Sequence, residues 1–203
     1  MNTTNKTLKR LVVLMTALIG LSAQAGVLVE PYLGIATMGD GKVKPSVSST
    51  RTDLEYKFAP TAGFRAGYSM WGAMVGIDAS YQKTELQLER RIGSNITDLG
   101  DQDVDKSQAG IFVGYNLPMP MRVWATYYLM GSVKFDNDSK YTSGNGYAFG
   151  ASYTGLPLVA LNFEYRNMEY SESETASGAT SNTDVNLGEL LFTVSMPFDL
   201  ELF

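Results

Sequence analysis

The sequence predicts an all-β protein, an eight-stranded antiparallel up-and-down transmembrane β-barrel. Three observations predict it. Segments alternating apolar and polar residues recur along the chain, which is the period of a strand. The connectors between them alternate long and short. Within each segment one face is bulky and apolar, and the other is small and polar. The long connectors are polar: Gly39–Glu55, Glu85–Asp105, Asp136–Asn145 and Glu169–Asp184. The short ones, Ser69–Gly72, Leu117–Met121 and Gly155–Pro157, carry Gly or Pro. Four long and three short connectors delimit eight strands. Short turns at one end, long loops at the other and an even strand number are the layout of bacterial outer-membrane barrels.

The first 25 residues read as an export signal. Lys6, Lys9 and Arg10 make a basic start, Leu11–Leu21 is an apolar run, and Ala23-Gln24-Ala25 is an A-x-A cleavage site. The run is shorter than the ~20 apolar residues a membrane-crossing helix needs. The expected mature domain is 26–203. It retains 13 of the 16 basic residues and all 21 acidic ones, a net of −8. That balance argues against a nucleic-acid partner, which would want a basic face. Cysteine is absent, so no disulfide or thiolate metal site can form.

Residue parity assigns faces strand by strand. In Val27–Thr37, Val27, Val29, Leu33 and Ile35 oppose Glu30, Tyr32, Gly34 and Ala36. In Tyr56–Ser69, Tyr56, Phe58, Ala62, Phe64, Ala66 and Tyr68 oppose Lys57, Thr61, Gly63, Arg65, Gly67 and Ser69. In Ala73–Lys83, Val75, Ile77, Ala79 and Tyr81 oppose Met74, Gly76, Asp78, Ser80 and Gln82. Ser107–Asn116 sets Ala109, Ile111, Val113 and Tyr115 against Gln108, Gly110, Phe112 and Gly114. Arg122–Phe135 sets Val123, Ala125, Tyr127, Leu129, Val133 and Phe135 against Trp124, Thr126, Tyr128, Met130, Ser132 and Lys134. Gly146–Thr154 sets Tyr147, Phe149, Ala151 and Tyr153 against Ala148, Gly150 and Ser152. Leu158–Arg166 sets Leu161, Phe163 and Tyr165 against Ala160, Asn162, Glu164 and Arg166. Glu189–Phe198 sets Leu190, Phe192, Val194, Met196 and Phe198 against Glu189, Leu191, Thr193 and Ser195.

The apolar face holds more than a dozen aromatic rings. An eight-stranded lumen admits filling side chains or one small ligand, so these rings belong outside. A soluble periplasmic lipocalin-like carrier, with its apolar face inward, is the weaker reading. The glycine-rich face (Gly34, Gly63, Gly67, Gly76, Gly110, Gly114, Gly146, Gly150) then lines the lumen. Two aromatic girdles are expected, because amphipathic rings favour the membrane interfaces. Tyr68, Trp71, Tyr115, Tyr153 and Phe198 lie toward the turn end; Tyr56, Phe58, Tyr81, Phe135, Tyr147 and Tyr170 lie toward the loop end.

In this layout the mature chain resembles the OmpA/OmpX type of eight-stranded outer-membrane barrel. The last strand, Leu190–Phe198, with Phe203 beyond it, looks like the aromatic-ended signal read by the outer-membrane assembly machinery. Phe203 falls on the opposite parity from Phe198, with Pro197 before it, so the strand is expected to end near Phe198. The resemblance implies the cell outer membrane of a Gram-negative envelope, a monomer, and contact with outer-membrane lipid and lipopolysaccharide. It implies no cofactor.

Four groups could carry chemistry. Glu30, Arg65, Asp78, Glu164 and Arg166 share the lumen parity near mid-strand, and opposite charges in a narrow lumen need each other. OmpA-type barrels hold such interior ion pairs, and the resemblance implies a plug here. Histidine is absent along with cysteine, so Ser-His-Asp and Cys-His catalysis is unavailable and no enzyme is expected. Asp101, Asp103 and Asp105 open like a calcium loop, but Lys106 stands where its glycine belongs and Phe112 where its glutamate belongs. A solvated acidic loop fits them better, and no metal is expected. Ser171–Asp184 and Lys42–Asp53 read as polar, mobile surface loops. The expected function is a structural or surface-interaction role through these loops, with a narrow channel for ions or very small solutes as the alternative.

Overall fold

The computed structural model describes residues 26–44, 51–92 and 95–201, the side chains at 38–44, 51–57, 85–92, 95–102 and 201 excepted. The export signal at 1–25 lies outside the described residues, as does Phe203.

The chain forms β1 (Gly26–Lys44), β2 (Arg51–Met70), β3 (Ala73–Ile92), β4 (Asn95–Asn116), β5 (Met121–Phe135), β6 (Lys140–Tyr153), β7 (Ala160–Glu174), β8 (Thr180–Ser195) and β9 (Phe198–Glu201). Each strand pairs antiparallel with the next from β1 to β8, and β8 pairs back onto β1. The ring of eight is closed and has no free edge around its girth. β9 is the end of the eighth crossing. Tyr32↔Ser195 and Val29↔Phe198 keep one register across the break, so the chain resumes where it left off. Pro197 has no N–H to give the ladder, which explains the interruption. The expectation that pairing stops at Phe198 is therefore corrected: it runs to Gly26↔Glu201.

At one end the turns are tight. Trp71 (φ 54°) and Gly72 (φ 81°) both sit in the left-handed region, as a two-residue hairpin requires. At the other end the expected long loops are largely strand. Gly39–Val43 pairs with Tyr56–Thr52, and Lys83–Gln87 pairs with Asp105–Asp101. Ser171–Asp184, expected as a mobile loop, is a hairpin in which Glu172, Ser173 and Glu174 pair with Asn182, Ser181 and Thr180. Of Lys42–Asp53, the ends pair as strand, and 45–50 lies outside the described residues. Asp101–Asp105 is likewise part of β4 and no acidic loop; Val104 within it is buried. Polar composition misled because these strand extensions carry polar residues on their outer face.

The outward assignments hold through the lower two-thirds of the wall. Phe64, Ile77, Val113, Phe163 and Phe192 are all about half exposed. On β5 they fail. The β4–β5 register shifts between Ala109/Gly110, where Gly110 meets Tyr128 and Ala109 meets Met130. Leu129 (54%) and Met130 (66%) both face outward, and every later residue changes face. Val133 (2%) and Phe135 (8%) point inward, and Lys134 points outward, opposite to the expectation. Phe135 and the fully buried Tyr170 thus leave the expected loop-end girdle.

Candidate functional site: the lumen and its charge network

The lumen is filled in three storeys. Toward the turn end, Leu28, Met74 and Phe112 pack together. Toward the loop end, Val104, Val133, Phe135, Met168, Tyr170, Val185, Leu187 and Leu191 form a larger apolar cluster with three alanines and Tyr128. The charges lie between. Glycines make room for the largest residues: a Cβ at Gly150 would fall 2.1 Å from the Trp124 ring, and one at Gly63 2.4 Å from Tyr32.

Arg65, on β2, is the hub. Its Nε donates to Asp78 Oδ2 at 3.0 Å on neighbouring β3, and its Nη2 donates to Glu164 Oε2 at 2.8 Å across the barrel on β7. Glu164 in turn accepts from Arg166 Nη2 at 2.8 Å. Arg166 Nη1 reaches Glu189 at 3.4 Å, and Glu189 accepts from Lys106 Nζ at 2.8 Å. Asp78, Arg65, Glu164, Arg166, Glu189 and Lys106 thus form one unbroken chain across five strands. Glu30 stands apart. It accepts from Arg122 Nη1 at 2.7 Å and from Ser195 Oγ at 2.6 Å.

Aromatic groups hold the chain in place. Tyr32 donates to Asp78 at 2.8 Å, and Trp124 Nε1 donates to Glu164 Oε2 at 3.0 Å. The Arg65 guanidinium lies 4.2 Å from the Trp124 ring centre and 4.9 Å from that of Tyr32; Arg166 lies 4.9 Å from that of Tyr128. A weakly hydrated planar cation on an aromatic face loses less on burial than an ammonium would. Several buried polar atoms, among them Arg65 Nη1, Ser152 Oγ and Asn162 Oδ1, have no protein partner.

The five residues singled out from the sequence are all buried and all carry ion pairs, but in two groups. Arg65, Asp78, Glu164 and Arg166 join. Glu30 does not reach Arg65, as parity suggested it would; it belongs to Arg122. Sequence reading missed Lys106, Arg122 and Glu189. Glu189 had the lumen parity and could have been found. Lys106 sat at the edge of an assumed loop, and Arg122 at the edge of a turn. With them the described buried charges are Glu30, Asp78, Glu164 and Glu189 against Arg65, Lys106, Arg122 and Arg166, four of each sign.

Comparison with known proteins agrees with this architecture. No curated protein sequence matches the chain. Among solved structures it is similar to OprG of Pseudomonas aeruginosa (11% identity, 87% of this chain and 97% of that one, TM-score 0.52). It is similar to AlkL in lipid bilayers (13%, 90% and 94%, TM-score 0.53). It is also similar to Ail, the attachment invasion locus protein of Yersinia pestis (14%, 85% and 99%, TM-score 0.50). At these identities the likeness concerns the fold alone. The model of the outer membrane protein β-barrel domain matches residues 11–198. The chain belongs to that family of outer-membrane β-barrels, and its place is the outer membrane.

Proposed function

We propose that this protein is a sealed outer-membrane scaffold acting through the hairpins at its loop end, in a structural or surface-interaction role. The observation that carries this reading is the lumen: four positive and four negative buried charges, paired beneath an apolar cluster. Neither storey leaves room for a hydrated ion without breaking contacts. Desolvated charges of equal number cancel, so the middle storey offers no net field to draw an ion in. The hairpins stand on a closed barrel, the rigid scaffold on which recognition surfaces are usually carried. After export and signal removal at Ala25, the mature amino terminus is periplasmic, the loop end faces outward, and the barrel works as a monomer inserted through its last crossing.

Planar-bilayer recording tests the sealed interior. Wild type is expected to show no steady conductance, and Arg65→Ala to open measurable current. Steady conductance by the wild type would establish the narrow-channel reading instead. A cysteine placed at Gly178, in the β7–β8 turn, should be labelled on intact cells by a membrane-impermeant maleimide. Labelling only after lysis would invert the orientation.

A further inference from the structure

The outer wall over β2 to β5 carries two adjoining depressions. The lower has a volume of about 620 Å³, within the range of ligand pockets. Its floor is small, with Ala62, Ala79 and Ala109, and its rims are Phe64, Tyr81 and Met130. The bulge that turns Leu129 and Met130 outward together raises the Met130 rim. The upper depression, about 300 Å³, is lined by Phe58, Pro60, Lys83, Thr84 and Asp103. It lies where the β2–β3 ladder is interrupted between Glu55/Thr61, with Pro60, which has no N–H, at the lower lip of the gap.

Both lie where the wall changes from apolar to polar. Below them are Ile77, Ile111 and Val113, and above them Lys83 and Lys134 face outward. Lys83 has no ion pair among the described residues, and Lys134 holds only the exposed Asp138 at 3.4 Å. Tyr81 donates to Asp105 at 2.5 Å, which fixes the ring as a wall between the two depressions. Asp103 and Asp105 add acceptors for hydroxyl groups at the same level.

We propose that these depressions form one binding site for a lipid A molecule of the outer leaflet. One acyl chain lies over Ala62, Ala79 and Ala109, and the phosphorylated sugar sits at Lys83. The shape is amphipathic in the right order: a dry groove toward the membrane centre and a mixed cation–carboxylate pocket at the headgroup level. A flat wall of a second barrel would leave the concave floor unfilled, whereas a flexible chain follows it. The assignment rests on the loop end facing outward, which puts the site in the leaflet that holds lipid A.

The test uses the purified mature barrel in phosphatidylcholine nanodiscs doped with purified lipid A, read by native mass spectrometry of the ejected complex. Nanodiscs present lipid A on both faces, so the result does not depend on orientation in the cell. Wild type should retain one lipid A against excess phosphatidylglycerol. Ala79→Trp and Ala109→Trp fill the groove from the lipid side, and Lys83→Ala removes the cation. Each is expected to lower retention by about tenfold. Ala151→Trp, on the far wall, should leave it unchanged, and heat-modifiable mobility reports folding of every variant. Unchanged retention in folded Ala79→Trp and Ala109→Trp overturns the site. Loss in these two with full retention in Lys83→Ala, or equal retention of phosphatidylglycerol, overturns lipid A in favour of any acyl chain. A barrel ejected as a dimer that Ala79→Trp makes monomeric assigns the face to a second copy and also overturns it.

Discussion

The turn-side and loop-side parts of this barrel obey opposite rules. On the turn side the outer face is apolar, with Val75, Ile77, Val113, Phe163 and Phe192, and the inner face is charged. On the loop side the outer face is polar, with Lys134, Asn145, Asn167, Glu169 and Asn186, and the inner face is an aliphatic and aromatic core. One sheet is therefore inside-out below and an ordinary water-soluble β-barrel above. The solvent decides. Where lipid surrounds the wall, apolar side chains face it and the lumen can hold paired charge. Where water surrounds the wall, the hydrophobic effect again points inward. The changeover is made in two ways. On β7 the alternation is kept and the chemistry swaps, from Arg166 inside and Tyr165 outside to Met168 inside and Asn167 outside. On β5 a bulge swaps the faces themselves. The pairing irregularities, between Thr37/Asp40, Glu55/Thr61, Gln87/Glu89, Ala109/Gly110 and Tyr170/Glu172, all lie in the loop-side part.

The largest effect should come from the charged storey. Arg65→Ala strands Asp78 and half of Glu164, a loss of about 3–5 kcal/mol. It should appear as a lower thermal midpoint in detergent. Arg65→Met combined with Asp78→Asn should recover part of it, because no unpaired charge remains on that side. If Arg65→Ala melts like wild type, the network is not what holds the lower lumen.

Phe135→Ala probes the other storey. Removing a buried ring there should cost about 3–5 kcal/mol at most, toward the low end if the open rim lets neighbours close in. Unlike Arg65→Ala, its effect should not depend on neutralising any charge. A loss near zero would mean that the loop-side cluster is no core.

Charge placed on the outside separates the two regimes directly. Ile77→Arg should cost about 2–4 kcal/mol near the bilayer midplane. Asn186→Arg, on the same outward parity but above the changeover, should stay within about 0.5 kcal/mol. Equal costs at the two positions would erase the boundary. Spin labels sharpen it further: a label at Ile77 should be relaxed by lipid-soluble oxygen, and one at Asn186 by a water-soluble nickel chelate.

Strand existence, number and order were legible from the sequence because period-2 alternation is local and turns carry Gly and Pro. The lipid-facing residues were legible for the same reason, since one solvent acts along that stretch of wall. The bulge on β5 was not, because Leu129-Met130-Gly131-Ser132 gives no local sign of which register its neighbour will impose. Strand ends were misplaced because a polar outer face in water looks like a loop. Among the charges, parity by itself determined that Arg65, Asp78, Glu164 and Arg166 share the lumen. Which pairs meet was decided by barrel closure: Glu164 lies 99 residues from Arg65, and Glu30 faces Arg122 because the stagger of eight strands sets the heights at which side chains cross. Closure also decided that Lys106 and Glu189 complete the chain, since only the ring brings β4 and β8 within reach of each other.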